Sequence, residues 1–301
     1  MSDDIQVVHA APMAVGECPL WHPAEACLYW VDIDGLSVHR LHPASGAHRA
    51  WRMASEPSAL AMHAGGGLVV ATRAGLVHLD TGDGSVTGSV TEIAPAPYDT
   101  ATARFNDGRT DAAGRFWIGT IYEPRDKQAA QMFCLERGQL RLAWSGGMTN
   151  SNGLGFSPDQ TVMYHADTAT HRIDRHAFDL GTGTVGAPER FQQFSTDKAA
   201  GDYGGRPDGA AVDSEGAYWC AMFEGGRLLR FSPGGRLLLE VALPLRCPTM
   251  LAFGGADLRT LYITSASHNR SDAEKARYPL TGCVLSLRVD VAGRPEPQYR
   301  P

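Results

Sequence analysis

The chain has 301 residues and a formal net charge of −6, from 33 acidic and 27 basic side chains of scattered sign. Without a basic block, that balance argues against nucleic acid and anionic membrane as partners, and no apolar run reaches the ~18 residues of a spanning helix. The 34 glycines and 18 prolines, with few windows of helical period, predict turns and short strands, in a single all-β domain over residues 1–301.

The amino-terminal stretch MSDDIQVVHAAPM is acidic and lacks a charged-then-apolar signal pattern. Within it, IQVVH (5–9) reads as a strand without a place in the first repeat. From Glu17 onward one hairpin recurs. Its inner strands begin ECPLWH at Glu17, SALAMH at Ser58, NDGRTD at Asn106, NGLGFS at Asn152, DGAAVD at Asp208 and TMLAFG at Thr249. The second strands are CLYWVDI (27–33), GLVVAT (67–72), RFWIGT (115–120), VMYHADT (162–168), AYWCAM (217–222) and LYITSA (261–266). A third strand follows each, from SVHRLHP in the first unit to CVLSLRV in the last. Six units spaced by about 40 to 55 residues predict a six-bladed β-propeller with four-stranded blades. Tandem β-sandwiches would not repeat one hairpin at this spacing. The sixth unit ends after its third strand, so residues 5–9 are expected to complete the last blade and cover its open edge.

The first strand of a propeller blade is the innermost. Apolar residues two and four positions after each leading residue fix a common register, so all six leading residues point at one region of the central axis. Asn-Gly and Asp-Gly are ordinary turn formers taken singly, but Glu17 is not, and the shared register favours a ring of oxygen donors. Carboxylates and carboxamides without His or Cys suit a hard divalent cation, Ca²⁺, Mg²⁺ or Mn²⁺, with Zn²⁺ or Fe²⁺ also compatible. Glu17 and Asp208 balance the charge of such an ion, and so few protein ligands leave positions open for water or substrate. Asp111 and Asp213 read as turn residues, and Trp30, Trp117 and Trp219 as packing between blades.

At these residues the sequence resembles the gluconolactonase, regucalcin (senescence marker protein) and luciferin-regenerating enzyme family. The resemblance is carried by GECPLW (16–21), YWVDI (29–33), RFNDGRTDAAGRFWIGT (104–120), SNGLGFSPD (151–159), RPDGAAVDSEGAYW (206–219) and the segment ending LYITSA (253–266). It implies one divalent metal on the axis held by Glu17, Asn152 and Asp208, substrate contacts from Arg104 and Asn106, and a further substrate glutamate at Glu123, about one position from the family's place. It also implies hydrolysis of a sugar-acid lactone to the open aldonic acid. The site chemistry agrees: a cation polarises the carbonyl and acidifies a water, Asp208 serves as general base, and Arg104 and Asn106 steady developing negative charge. A metal-dependent hydrolase of other esters, such as phosphotriesters, and a non-catalytic calcium-binding propeller are the alternatives.

Other chemistries find little support. There is no G-x-S-x-G elbow and no H-E-x-x-H; Ser151 lies beside Asn152 without a histidine the sequence can assign to it. His39, His42 and His48 are expected on a solvated outer face. Arg206 precedes Asp208 as Arg104 precedes Asn106, which leaves both a place at the substrate mouth and a salt-bridged loop position open. Six cysteines at 18, 27, 134, 220, 247 and 283, without a CxxC, predict free or buried thiols in a reducing cytoplasm.

Overall fold

The structure, a computed structural model, describes residues 5–82 and 89–301. Its strands form six four-stranded antiparallel sheets among the described residues. Each of the first five runs outward in chain order, beginning with Gly16–His22, Pro57–Met62, Ala103–Thr110, Ser151–Phe156 and Arg206–Val212. These innermost strands, with Pro248–Gly254 of the sixth sheet, pack against one another in sequence around the axis, and the last meets the first. The second strands are buried on both faces between neighbouring blades, as in Cys27–Asp32 and Leu68–Thr72, where every residue is buried. That is why they read as continuous apolar runs. The fourth strands, such as Ala47–Arg52, are largely exposed.

Closure follows the expectation. Gln6–His9 pairs antiparallel with Val284–Arg288, matching Gln6 to Ser286 and Val7 to Leu285, and forms the outermost strand of the sixth blade. The following segment enters blade one: Ile33 N–H donates to the Val15 carbonyl at 2.9 Å, and Val15 bridges Ala266 of blade six.

Period-two alternation does not run unbroken along the inner strands. Each carries a register shift at its axial end: between Glu17 and Leu20, Pro57 and Ala59, Phe105 and Gly108, Asn152 and Gly155, Pro207 and Ala210, and Pro248 and Leu251. In each, the inner strand carries one residue more than its partner, which is a β-bulge, a device that bends a strand and re-aims a side chain. The backbone reaches positive φ here at Cys18 (φ 45°) and Gly153 (φ 61°).

At the opposite end of the inner strands two turns repeat one design. Asp111 and Asp213, both fully buried, accept from backbone N–H groups of their own turns and from the indole N–H of Trp117 and Trp219, at 2.9 Å in each case. Arg115 and Arg230 complete these carboxylates' partners. The carboxy-terminal segment runs beneath this face. Ser214 N–H donates to Ala292, Tyr299 N–H to Met62 and Arg300 N–H to Gly114, while Glu296 pairs with Arg109.

Candidate active site at the propeller axis

Because the inner strands start, and the second strands end, on the same face, each blade offers two positions to the axial opening. The opening is a polar cavity of about 520 Å³. Glu17, Asn106, Asn152, Asp208 and Thr249 reach it from inner-strand starts. Ser58, the sixth leading residue, does not: it is buried and donates to the Ala71 carbonyl. Thr249 also turns partly inward, donating to the Gly16 carbonyl at 2.5 Å.

Arg104, Asn106, Asn152 and Asp208 form one directional chain of hydrogen bonds. Arg104 Nη1 donates to Asn106 Oδ1 at 2.7 Å, Asn106 Nδ2 donates to Asn152 Oδ1 at 2.9 Å, and Asn152 Nδ2 donates to Asp208 Oδ1 at 2.5 Å. The chain runs from a cation to an anion, so the guanidinium at one end fixes both carboxamide orientations. Asn152 Nδ2 also donates to Thr168, and Asn106 Nδ2 to the Ser151 carbonyl.

The entries to two of the three proposed ligands, Glu17 and Asn152, are gripped by a carboxylate at the end of the adjacent second strand. Asp32 accepts from the N–H groups of Ala14 and Val15, two residues and more before Glu17. Asp167 accepts from Thr149 and Asn150, in the same relation to Asn152. These two aspartates carry no separate sequence signal beyond their place at the end of YWVD and YHAD.

Electrostatics make the axis hungry for positive charge. Burial raises the Glu17 carboxyl well above the usual range; the charges of Asp208 and Asp107 raise it further, against the Cys18 N–H and Arg104. Burial likewise raises Asp208, opposed by Arg206 and reinforced by Asp107. Asp107, 4% exposed, is pushed up to about 6 by its own burial, although Arg109 and the Leu154 N–H hold it down. Asp107 was not anticipated from the sequence, although it directly follows Asn106 within the strand Ala103–Thr110.

Glu123 also borders the cavity, but both its oxygens are engaged by Arg73, at 2.8 and 2.9 Å, with Arg104 Nε at 3.7 Å. Arg73, which also binds Glu56 at 2.8 Å, was not anticipated. It follows the second strand of blade two as Glu123 follows that of blade three, and position in the repeat is the signal that identifies it.

Two expectations are corrected. Ser151 has a histidine partner after all, with His165 Nε2 3.0 Å from Ser151 Oγ, but the serine is fully buried, so substrate cannot reach it. His39 is not on a solvated face: it is 8% exposed and stacks on Trp30 with ring centroids 5.0 Å apart.

The donor set fits a hard cation. Two carboxylates and one carboxamide share a cavity in which the carboxylates repel one another, and a cation there takes Asn152 by Oδ1, which means turning the carboxamide that now points Nδ2 at Asp208. Among the described residues no three His, Cys, Asp or Glu side chains form a metal cluster by themselves, because the third member of this set is Asn152.

Fold and site together define a six-bladed propeller with a polar binding cavity at one end of its axis. The chain belongs to the family described as SMP-30/Gluconolactonase/LRE-like region, which residues 15–267 match. It is 43% identical over 300 residues to a 6-deoxy-6-sulfogluconolactonase of Pseudomonas putida, covering 99% of both chains. It is 33% identical to a pentonolactonase of Haloferax volcanii, over 94% of this chain and 93% of that one. Among solved structures, a calcium-binding protein, regucalcin, from Agrobacterium tumefaciens superposes with a TM-score of 0.90 at 31% identity, covering 98% of this chain and 97% of the other. Lactonase, the enzyme class expected from the sequence, is the class in which the first two relatives are named.

Proposed function

We propose that the chain is a sugar-lactone hydrolase that opens a gluconolactone-like ring to the aldonic acid, with a divalent cation held by Glu17, Asn152 and Asp208. The observation that carries the reading is the convergence of two buried, mutually repelling carboxylates and an oriented carboxamide in one polar cavity on the axis. Relatives named as lactonases of sulfogluconolactone and pentonolactone, and a calcium-binding regucalcin, support it. When bound, the cation supplies Lewis-acid polarisation of the lactone carbonyl and lowers the pKa of water.

The chain's own residues supply the rest. Asp208 accepts the proton of the attacking water and returns it to the ring oxygen as the acyl C–O bond breaks. Arg104, already joined to Asp208 through the two asparagines, directs its charge toward the oxygen that becomes negative. Asn106 shares substrate contact with it, and Glu123, steered by Arg73, accepts from ring hydroxyls. We place this activity in the cytoplasm, because the six cysteines are all unpaired and buried.

The test is a pH-stat assay on glucono-, galactono- and xylonolactone with a panel of divalent metals and with chelator. Acid release above the spontaneous rate is expected on at least one lactone, lost with chelator and restored by metal. Asp208→Asn should lower kcat by about 10²–10⁴-fold, the range of a lost general base, with the thermal midpoint retained or raised. Release indistinguishable from the blank with every metal would overturn the proposal.

A further inference from the structure

The arginines bordering the cavity differ in how their donors are used. Arg73 and Arg104 are committed, the first to Glu56 and Glu123 at 2.8–2.9 Å and the second to Asn106 and the Phe105 carbonyl at 2.7 and 2.9 Å. Arg206 and Arg270, on the far side, are not. Arg206 reaches Glu224 only at 3.5 Å, and its buried Nε has no acceptor. Arg270 reaches the His268 carbonyl at 3.4 Å, Glu224 at 3.5 Å and Glu274 at 3.7 Å. All exceed the roughly 2.7–3.2 Å of a good N–H···O bond.

These side chains are nonetheless sequestered, 18% and 15% exposed, and their guanidinium carbons lie 5.0 and 5.9 Å from the ring centre of Phe223. The two carboxylates near them are shared with other cations: Glu224 also binds Lys198 at 3.1 Å, and Glu274 binds Arg246 at 2.9 Å. Four cations therefore share Glu224 and Glu274, with Asp208 the further acid near Arg206. Lys198 and Arg246 take the close contacts, and Arg206 and Arg270 are left with the long ones.

We propose that Arg206 and Arg270 form an anion subsite for a negatively charged group at the far end of the lactone, which makes the substrate class sugar lactones bearing a terminal sulfonate, phosphate or carboxylate. This rests on the lactonase reading of the same cavity. Guanidinium groups with free donors are suited to the planar recognition of oxyanions, and the Phe223 ring holds both in place. Arg206 stands two residues before Asp208 on one strand, roughly 6–7 Å along it. An ester carbonyl at Asp208 and a terminal oxyanion at Arg206 are thus within the span of one sugar.

The experiment compares kcat/KM of the metal-loaded full chain on gluconolactone and on its counterparts with sulfonate, phosphate or carboxylate at the terminal carbon. At least one charged lactone should be preferred by about 10–100-fold, the equivalent of one or two charge-assisted hydrogen bonds, and added salt should erode the preference. Which charged lactone leads identifies the anion. Arg206→Met and Arg270→Met should each cut the charged-to-neutral ratio by about tenfold or more, through KM, and Arg270→Lys should restore part of it. Equal turnover of neutral and charged lactones, or equal losses on both in the variants, would overturn the subsite while leaving the lactonase intact. Should no lactone be turned over, calorimetry with the ring-opened charged acids decides the subsite separately. Binding weakened in both Met variants supports it, and binding unchanged or absent refutes it.

Discussion

His39 shows how burial converts an ordinary side chain into a pH-sensitive one. Its Nε2 lies 2.8 Å from Ser37 Oγ and its Nδ1 3.1 Å from His48 Nε2, while its ring stacks on Trp30. Burial first, then the neighbouring His48 and His9, hold its pKa down to about 4, against a small opposing pull from Asp32. In the unfolded chain it titrates near the ordinary histidine value of 6.5. Between those values the unfolded state binds a proton that the folded state refuses, so stability is full above about pH 6.5 and declines as pH falls toward about 4. The loss is about 3 kcal/mol by pH 4, of which about 2 has gone by pH 5, if His39 acts alone. Urea midpoints at pH 7.5 and pH 5 should differ less in His39→Gln than in the parent; an identical pH dependence would remove His39 as its source. The sequence showed three histidines close together but not the indole that desolvates one of them, because Trp30 belongs to another strand of the sheet.

At the scale of the element, the two ends of the inner strands do different work: Asp32 and Asp167 hold the axial end in blades one and four, Asp111 and Asp213 the opposite end in blades three and five. Asp213 accepts at 2.8–2.9 Å from the N–H groups of Glu215 and Ala217, the Trp219 indole and Arg230. Asp213→Ala strands the two backbone N–H groups and the Trp219 indole, Arg230 alone keeping a partner in Glu215 at 2.8 Å, and should cost about 3–5 kcal/mol, read as a loss in denaturant midpoint. Asp167, at the axial end, holds the backbone just ahead of Asn152. Asp167→Ala should cost about 1–3 kcal/mol and lower kcat/KM out of proportion to stability. Equal effects of the two variants on activity at a temperature where both are folded would remove that division of labour. The inner-strand starts are legible in sequence because a repeated apolar pattern aligns Glu17, Asn106, Asn152 and Asp208 without reference to the rest of the chain. The bulges are not, since they arise where the extra residue is pushed out of a ladder. Arg270 is not either, because it reaches the cavity from a loop between blades, whereas Arg73 sits in the short turn after Leu68–Thr72 and is marked by its place in the repeat. The hydrogen-bonded order from Arg104 to Asp208 joins three blades, so no single segment displays it.

At the scale of the molecule, the closure of the ring and the approach to Glu17 share one segment. Residues 5–15 leave blade six and enter blade one in a single pass. Gln6–His9 extends the sixth sheet, His9 lies 5.2 Å from Trp30 and 4.5 Å from His48, and Asp32 takes the Ala14 and Val15 N–H groups just ahead of Glu17. Removing residues 1–9 therefore has three expected outcomes. The edge of Val284–Arg288, mostly buried, loses its partner and becomes a template for pairing with another copy. The thermal midpoint falls by about 5–10 °C, since a few kcal/mol of ladder and aromatic contact are lost from a chain of this size. Metal affinity should change little, because Met13 and Ala14 stay bonded to Gly282, Ser267 and His268 and Val15 to Ala266 without residues 1–9, whereas a marked fall would show that Gln6–His9 itself sets the position of Glu17. Size-exclusion elution, the thermal midpoint and calorimetric metal titration read the three separately. A truncated chain that matches the parent in elution and midpoint would show that the ring closes without its amino-terminal strand.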